Sequence, residues 1–204
     1  MGNVMRYSIY GYVGHLIYGY MKQTNMIKQH DVRKSPRATF HDYSGGHYFI
    51  TICTADKRHY FGEIKHGEML LNTIGEFCQQ QLETVSLHYP YTSIPLFVVM
   101  PNHIHAIICI EATDVRQQRM HEPYIPTKRS ALSVVVGGIK REVTMFARRN
   151  NLDFAWQGRY HDHIIRGSHD GNHIAEYIQN NVARWTQDCF NNNTVGTHGS
   201  CVQK

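Results

Sequence analysis

The stretch from Phe97 to Ile110 reads FVVMPNHIHAIICI. Two apolar runs meet at Pro101-Asn102. Pro101 lacks a backbone N–H and ends a ladder, and Asn102 suits a turn. The second run opens with His103 and His105 on either side of Ile104. Strand side chains alternate between faces, so the two imidazoles project together. Two such histidines can bind one divalent metal. They can also be core histidines held by hydrogen bonds. Burying two imidazoles without partners is costly, so the pair needs a metal or a polar network. Near the C-terminus Tyr177 and Asn181 stand at i, i+4, one turn apart on one helix face, with His173 a turn earlier. A tyrosine hydroxyl and an amide oxygen offered to two histidines would make a nucleophile and a third metal ligand. A tyrosine at helical spacing is otherwise a core residue.

Holding these groups is the work of the surrounding elements. The chain has 204 residues, 42% hydrophobic and 18% charged, enough for one soluble domain with a core plus appendages. Residues 47–54 (HYFITICT) alternate and are β-branched and aromatic, which predicts a strand. Residues 55–59 read as a turn, and 60–71 as a small hairpin with His66-Gly67-Glu68 at its tip. A helix capped by Asn72 or Thr73 follows to about Leu87, with apolar residues at 74, 77, 78, 82 and 85. After the strand pair around Pro101, the polar stretch 111–129, with Pro123 and Pro126, reads as a flexible linker. A second helix spans 130–149, weakened by Gly137-Gly138. Residues 154–157 and 160–166 are extended pieces, the latter placing His161 and His163 on one face. A last helix, capped by Ser168 or Asp170, is expected to run through Tyr177 and Asn181 to Trp185. This order predicts an α+β fold, a ferredoxin-like antiparallel sheet with helices packed on it. Residues 1–30 form an extension, 31–188 the domain, and 189–204 an Asn-rich tail expected to be disordered.

The net charge of +5 and fifteen histidines are consistent with an anionic partner. Arg33, Lys34 and Arg37 form a short basic arm able to grip phosphates or simply to be solvated. Lys140, Arg141, Arg148 and Arg149 make the second helix basic toward its end, where cations also suit the helix dipole. Five scattered cysteines without a C-x-x-C pair argue for a reducing compartment. Residues 4–20 have no continuous apolar run, so neither a membrane span nor a signal peptide is expected and a cytoplasmic location follows.

Several stretches resemble the HUH single-tyrosine transposases, in their REP-associated branch: KSPR at 34–37, YFITICT at 48–54, FVVMPNHIHAIICI at 97–110, WQGRYHDHIIR at 156–166 and IAEYIQNNVARW at 174–185. They cover most of residues 33–186 in the family's order. Val182 departs from a proline common in relatives, and His161 from an aromatic residue. The resemblance implies an HUH endonuclease core in which His103 and His105 hold Mg2+ or Mn2+. Asn181 is then the candidate third ligand, and His163 a ligand, phosphate contact or structural support. Tyr177 would attack a DNA phosphodiester, giving a 5′-phosphotyrosine and a free 3′-OH. The implied protein is a nucleoid-associated site-specific nickase and strand transferase, acting on single-stranded or hairpin DNA such as repetitive palindromes. The basic residues named above would supply its salt-dependent grip. The branch leaves open a monomer or a homodimer that exchanges the tyrosine helix.

Two rivals stand beside it. One is a catalytically silent DNA-binding module. The other is a water-using metal-dependent phosphodiesterase built on His103, His105, His161 and His163, which would turn over without a covalent adduct.

Overall fold

In a computed structural model, the structure describes residues 45–111, 130–188 and 190–191. The basic arm at 33–37, the N-terminal extension, linker residues 112–129 and most of the tail lie outside the described residues.

Six strands and three main helices alternate. They are β1 (Gly46–Cys53), the hairpin β2 (Gly62–Lys65) and β3 (Glu68–Leu71), α1 (Thr73–Glu83), β4 (Thr92–Val99), β5 (His103–Ile110), α2 (Ala131–Arg149), β6 (His161–Ile164) and α3 (Ser168–Asn180). Four strands form one sheet in the order β4-β5-β1-β6, with every neighbouring pair antiparallel. This is the expected ferredoxin-like arrangement. Strand alternation sorts the sheet into two faces. Tyr48, Ile50 and Ile52 of β1 and Ile104, Ala106 and Ile108 of β5 pack with Leu132, Val135, Ile139 and Val143 of α2 and with Cys78 and Leu82 of α1. Phe49 of β1 and Ile107 and Cys109 of β5 face the other way, against Ile174, Tyr177 and Ile178 of α3. His103 and His105 share the parity of Ile107 and belong to this second face.

Local chemistry sets the boundaries. Asn72 caps α1, its side chain accepting from the backbone N–H of Ile74 and Gly75, and Ser130 caps α2 by accepting from Ser133 N–H. The β2–β3 tip turns through His66 and Gly67, both at positive φ, as a two-residue hairpin turn requires. Gly138 is needed where α2 meets the loop before β4, since a Cβ there would overlap the Tyr89 hydroxyl. α1 ends at Glu83, and Val85–His88 forms a separate turn, where one helix to Leu87 was expected.

Two expectations are corrected near the C-terminus. The N-cap of α3 is Gly167, at φ 92°, and not Ser168 or Asp170. Asp170 instead reaches back, its carboxylate accepting from Arg166 N–H at 3.0 Å. The helix also stops at Asn180, and Trp185 opens a separate 3-10 turn, Trp185–Gln187. Of the two extended pieces, only 161–164 is a strand. Trp156 makes an isolated bridge to Thr54, while its indole N–H donates to Lys140 O at 3.0 Å.

Candidate active site

His103 and His105 are fully buried, with rings 4.5 Å apart centre to centre. Their proton positions follow from neighbours that leave little choice. The Asn102 amide nitrogen donates to two backbone carbonyls, Lys57 O at 3.0 Å and Phe190 O at 2.8 Å. That fixes the amide orientation and leaves its oxygen 2.9 Å from His103 Nδ1. An amide oxygen only accepts, so the hydrogen sits on Nδ1 and Nε2 is a bare lone pair. This Nε2 is buried and has no hydrogen-bond partner. His105 Nδ1 lies 2.9 Å from Thr51 Oγ1, and the Ile50 backbone bonds the same imidazole. Thr51 Oγ1 can accept a hydrogen carried on Nδ1. His105 Nε2 then accepts from the Tyr177 hydroxyl at 3.2 Å.

Phe49 forms the floor of this cluster. It stacks on His105 at 5.3 Å and meets Tyr177 edge-on at 6.0 Å. Asn181, buried at the C-cap of α3, lies against both His103 and Tyr177, and its Oδ1 has no hydrogen-bond partner. α3 therefore delivers the tyrosine and the amide one turn apart, as their spacing predicts.

The electrostatics keep the histidines neutral. Burial holds His103 well below its ordinary value, helped by His105 and Lys57, and burial lowers His105 to about 3. Neutral imidazoles are what a cation needs, and the Nε2 of His103 has no hydrogen-bond partner. Burial raises the Tyr177 phenol, the Asp188 carboxylate adds to this, and Asn181 opposes it. The phenol is thus a poorer spontaneous nucleophile than free tyrosine. Burial likewise raises Asp188, against the Phe190 N–H and Lys57.

Sequence reasoning missed several contributors. Asn102 was read only as a turn residue, yet it sets the His103 tautomer. Lys57, in a turn where it and Asp56 both adopt positive φ, places a cation near His103 and 5.6 Å over the Phe190 ring. Asp188 follows the Trp185 turn and brings Oδ2 to 4.0 Å from His103 Nε2. Phe190, assigned to the tail, packs 4.5 Å from the His103 ring. The Pro-Asn-His run held the one usable signal, an amide adjacent to the first histidine.

Other expected site residues lie elsewhere. His163 sits beyond β1 from the pair and bonds Asp170 at 2.9 Å, tying β6 to the start of α3. Of the three roles left open for it, structural support is the one these contacts serve. His173 turns to His169, its ring 4.6 Å away, and not to the site. His161 is exposed on β6 and does not converge with His103 and His105. Among the described residues no three His, Cys, Asp or Glu side chains gather as a ready-made metal cage. Lys140, Arg141, Arg148 and Arg149 all belong to α2, on the opposite face of the sheet. Lys140 donates to Gln157 O at 2.6 Å, and Arg141 pairs with Glu142 at 2.9 Å. Cys53, Cys78 and Cys109 are buried thiols. No helix among the described residues is long and apolar enough to cross a membrane.

No family model matches the chain. An uncharacterized protein of Haemophilus influenzae is 38% identical over 164 residues, which span 76% of this chain and 91% of that protein. Among solved structures, a REP-associated tyrosine transposase bound to a REP hairpin aligns with a TM-score of 0.50. That alignment covers 77% of this chain and 74% of the other, at 22% identity.

Proposed function

This chain belongs to one family with the Haemophilus influenzae protein and has the fold of a REP-associated tyrosine transposase; we propose that it is a metal-dependent tyrosine transposase that nicks and rejoins single-stranded DNA beside a hairpin. The observation that carries this reading is Tyr177, its hydroxyl 3.2 Å from His105 Nε2 and one turn from the unpartnered oxygen of Asn181. A core tyrosine would have no need of two neutral imidazoles, one with an idle lone pair.

The donor set fits a divalent cation. His103 Nε2 and Asn181 Oδ1 are buried acceptors with no hydrogen facing them, and leaving such atoms unmet costs about 1–3 kcal/mol each. His103, His105 and Asn181 would hold Mg2+ or Mn2+. When bound, the ion would supply Lewis-acid polarisation of the scissile phosphate and stabilise the departing 3′ oxygen.

The remaining chemistry belongs to this chain's own groups. Tyr177 is raised by burial and needs help to lose its proton. The Nε2 lone pair of His105 serves one partner at a time, so the Tyr177–His105 hydrogen bond belongs to the cation-free state. The Tyr177 oxygen attacks phosphorus as its proton passes to water, the P–O3′ bond breaks, and the 3′ oxygen takes a proton from water and leaves as a hydroxyl. The 5′-phosphotyrosine conserves the phosphodiester, so rejoining needs no nucleotide. Phe49 and the β1–β5 pairing hold the imidazoles rigid, and Lys57, beside His103, is a candidate to meet a phosphate. Tyr177 lies against the histidines of its own chain, which supports action within one subunit.

The reading is tested by incubating the protein with labelled single-stranded hairpin DNA and Mn2+. A protein-linked band on a denaturing gel is expected, lost in Tyr177→Phe and in His103→Ala. Cleavage without an adduct would instead favour water as nucleophile.

A further inference from the structure

Asp188 lies outside the set that the tyrosine-transposase pattern names, yet its carboxylate is aimed at the histidine pair. Its side chain is only 6% exposed. One oxygen, Oδ1, accepts the Phe190 backbone N–H at 2.8 Å, and this tight turn orients the other. The turn is held in place from below. Asp188 N–H donates to Trp185 O, Asn191 N–H donates to Asp188 O at 2.9 Å, and the Asn191 side-chain amide donates to Trp185 O at 3.1 Å. Trp185 itself is buried, its ring 6.1 Å from that of His103.

The free oxygen, Oδ2, stops 4.0 Å from His103 Nε2. That is too long for a hydrogen bond. It is also the wrong pairing for one, because Asn102 places the His103 hydrogen on Nδ1. Two acceptors therefore confront each other, and a third, Asn181 Oδ1, is buried against the same imidazole without a hydrogen-bond partner. Lone pairs converging in so buried a site call for a positive charge among them. Two ligands each about 2.1 Å from one ion can be up to about 4.2 Å apart, so His103 Nε2 and Asp188 Oδ2 lie within reach of a shared cation, around which the three side chains, not yet a closed cage, would draw in.

We propose that Asp188 is a carboxylate ligand of the catalytic cation, joining His103, His105 and Asn181 and making the site selective for hard divalent ions. This rests on the tyrosine-transposase reading and extends it, since two imidazoles and a neutral amide carry no charge to set against a dication. A carboxylate supplies that charge and tilts the donor set toward Mg2+ and Mn2+.

The test is isothermal titration of Mn2+, Mg2+ and Zn2+ into the full chain and its Asp188→Asn variant, without DNA. Asparagine keeps the oxygen that accepts from Phe190 N–H, so the metal-free melting temperature reports whether the turn survives. The expected result is a roughly tenfold to hundredfold loss of Mn2+ affinity with metal-free melting unchanged. Mg2+ affinity should fall more than Zn2+ affinity, and Asp188→Glu should recover part of the loss. Equal Mn2+ affinity in wild type and Asp188→Asn would overturn the role of Asp188 and leave the histidine site standing. A wild-type chain that binds Mn2+ no better than His103→Ala would overturn both.

Discussion

Lowering the pH should destabilise the protein through His105, by an amount the site dictates. Burial lowers this imidazole to about 3, against 6.5 in an unfolded chain. Between those values the unfolded chain takes up a proton that the folded one refuses. Stability is therefore lost as pH falls below 6.5, and the loss continues until the folded value is reached. At pH 5 the contribution is about 2 kcal/mol, from a 1.5-unit fall at about 1.4 kcal/mol per unit. His103, shifted the same way, adds to it. Asp188 is raised and works in the opposite sense, so the whole-protein curve is a mixture. Comparison with His105→Gln removes the mixture, because every other group stays. Urea unfolding at pH 7 and pH 5, with chelator present, should show wild type losing about 2 kcal/mol more than the variant. In thermal melts this is roughly 4–8 °C for a chain of this size. Parallel losses in both proteins would mean that His105 is protonated in the fold. The neutral, cation-ready site would then be wrong.

Three further outcomes follow from named contacts. Asn102→Ala strips His103 Nδ1 of its acceptor and frees the tautomer, so Mn2+ affinity measured by titration should fall roughly tenfold to hundredfold. Gly138→Ala drives a Cβ into the Tyr89 ring end and should cost about 1–3 kcal/mol in urea unfolding. Hairpin DNA affinity should fall linearly in log salt, with a slope of about −0.7 to −0.9 per phosphate contact, and Lys57→Ala should lower that slope by about one contact.

The parts of this account legible in the sequence are those governed by short periods. Alternation in 47–54 and 103–110 set which residues share a face, and so put His103 and His105 together before any coordinates. The i, i+4 spacing did the same for Tyr177 and Asn181. Long-range closure was hidden. Nothing local to Asp188 tells that a 3-10 turn after α3 folds it back onto β5, because that depends on Trp185 finding a pocket beside His59 and His103. The end of α3 was misjudged for a related reason. Trp185 fits an apolar helical stripe, yet it is buried from a separate turn once the helix stops at Asn180. Asn102 was visible but under-read, since its turn preference gives no hint that its amide also spans Lys57 and Phe190. The basic residues of α2 are a contrasting case. Charge at a helix end drew attention, while the fold puts that helix behind the sheet and ties Lys140 to Gln157.

The central claim is that the Tyr177 oxygen becomes joined to DNA. The most direct measurement traps the complex on single-stranded hairpin DNA with Mn2+, digests it with nuclease and trypsin, and weighs the peptide spanning residues 167–184. The account predicts a nucleotide mass on that peptide, localised to Tyr177 by fragmentation, with a free 3′-hydroxyl on the released strand. Cleaved DNA with an unmodified 167–184 peptide, or a nucleotide on any other residue, would contradict it.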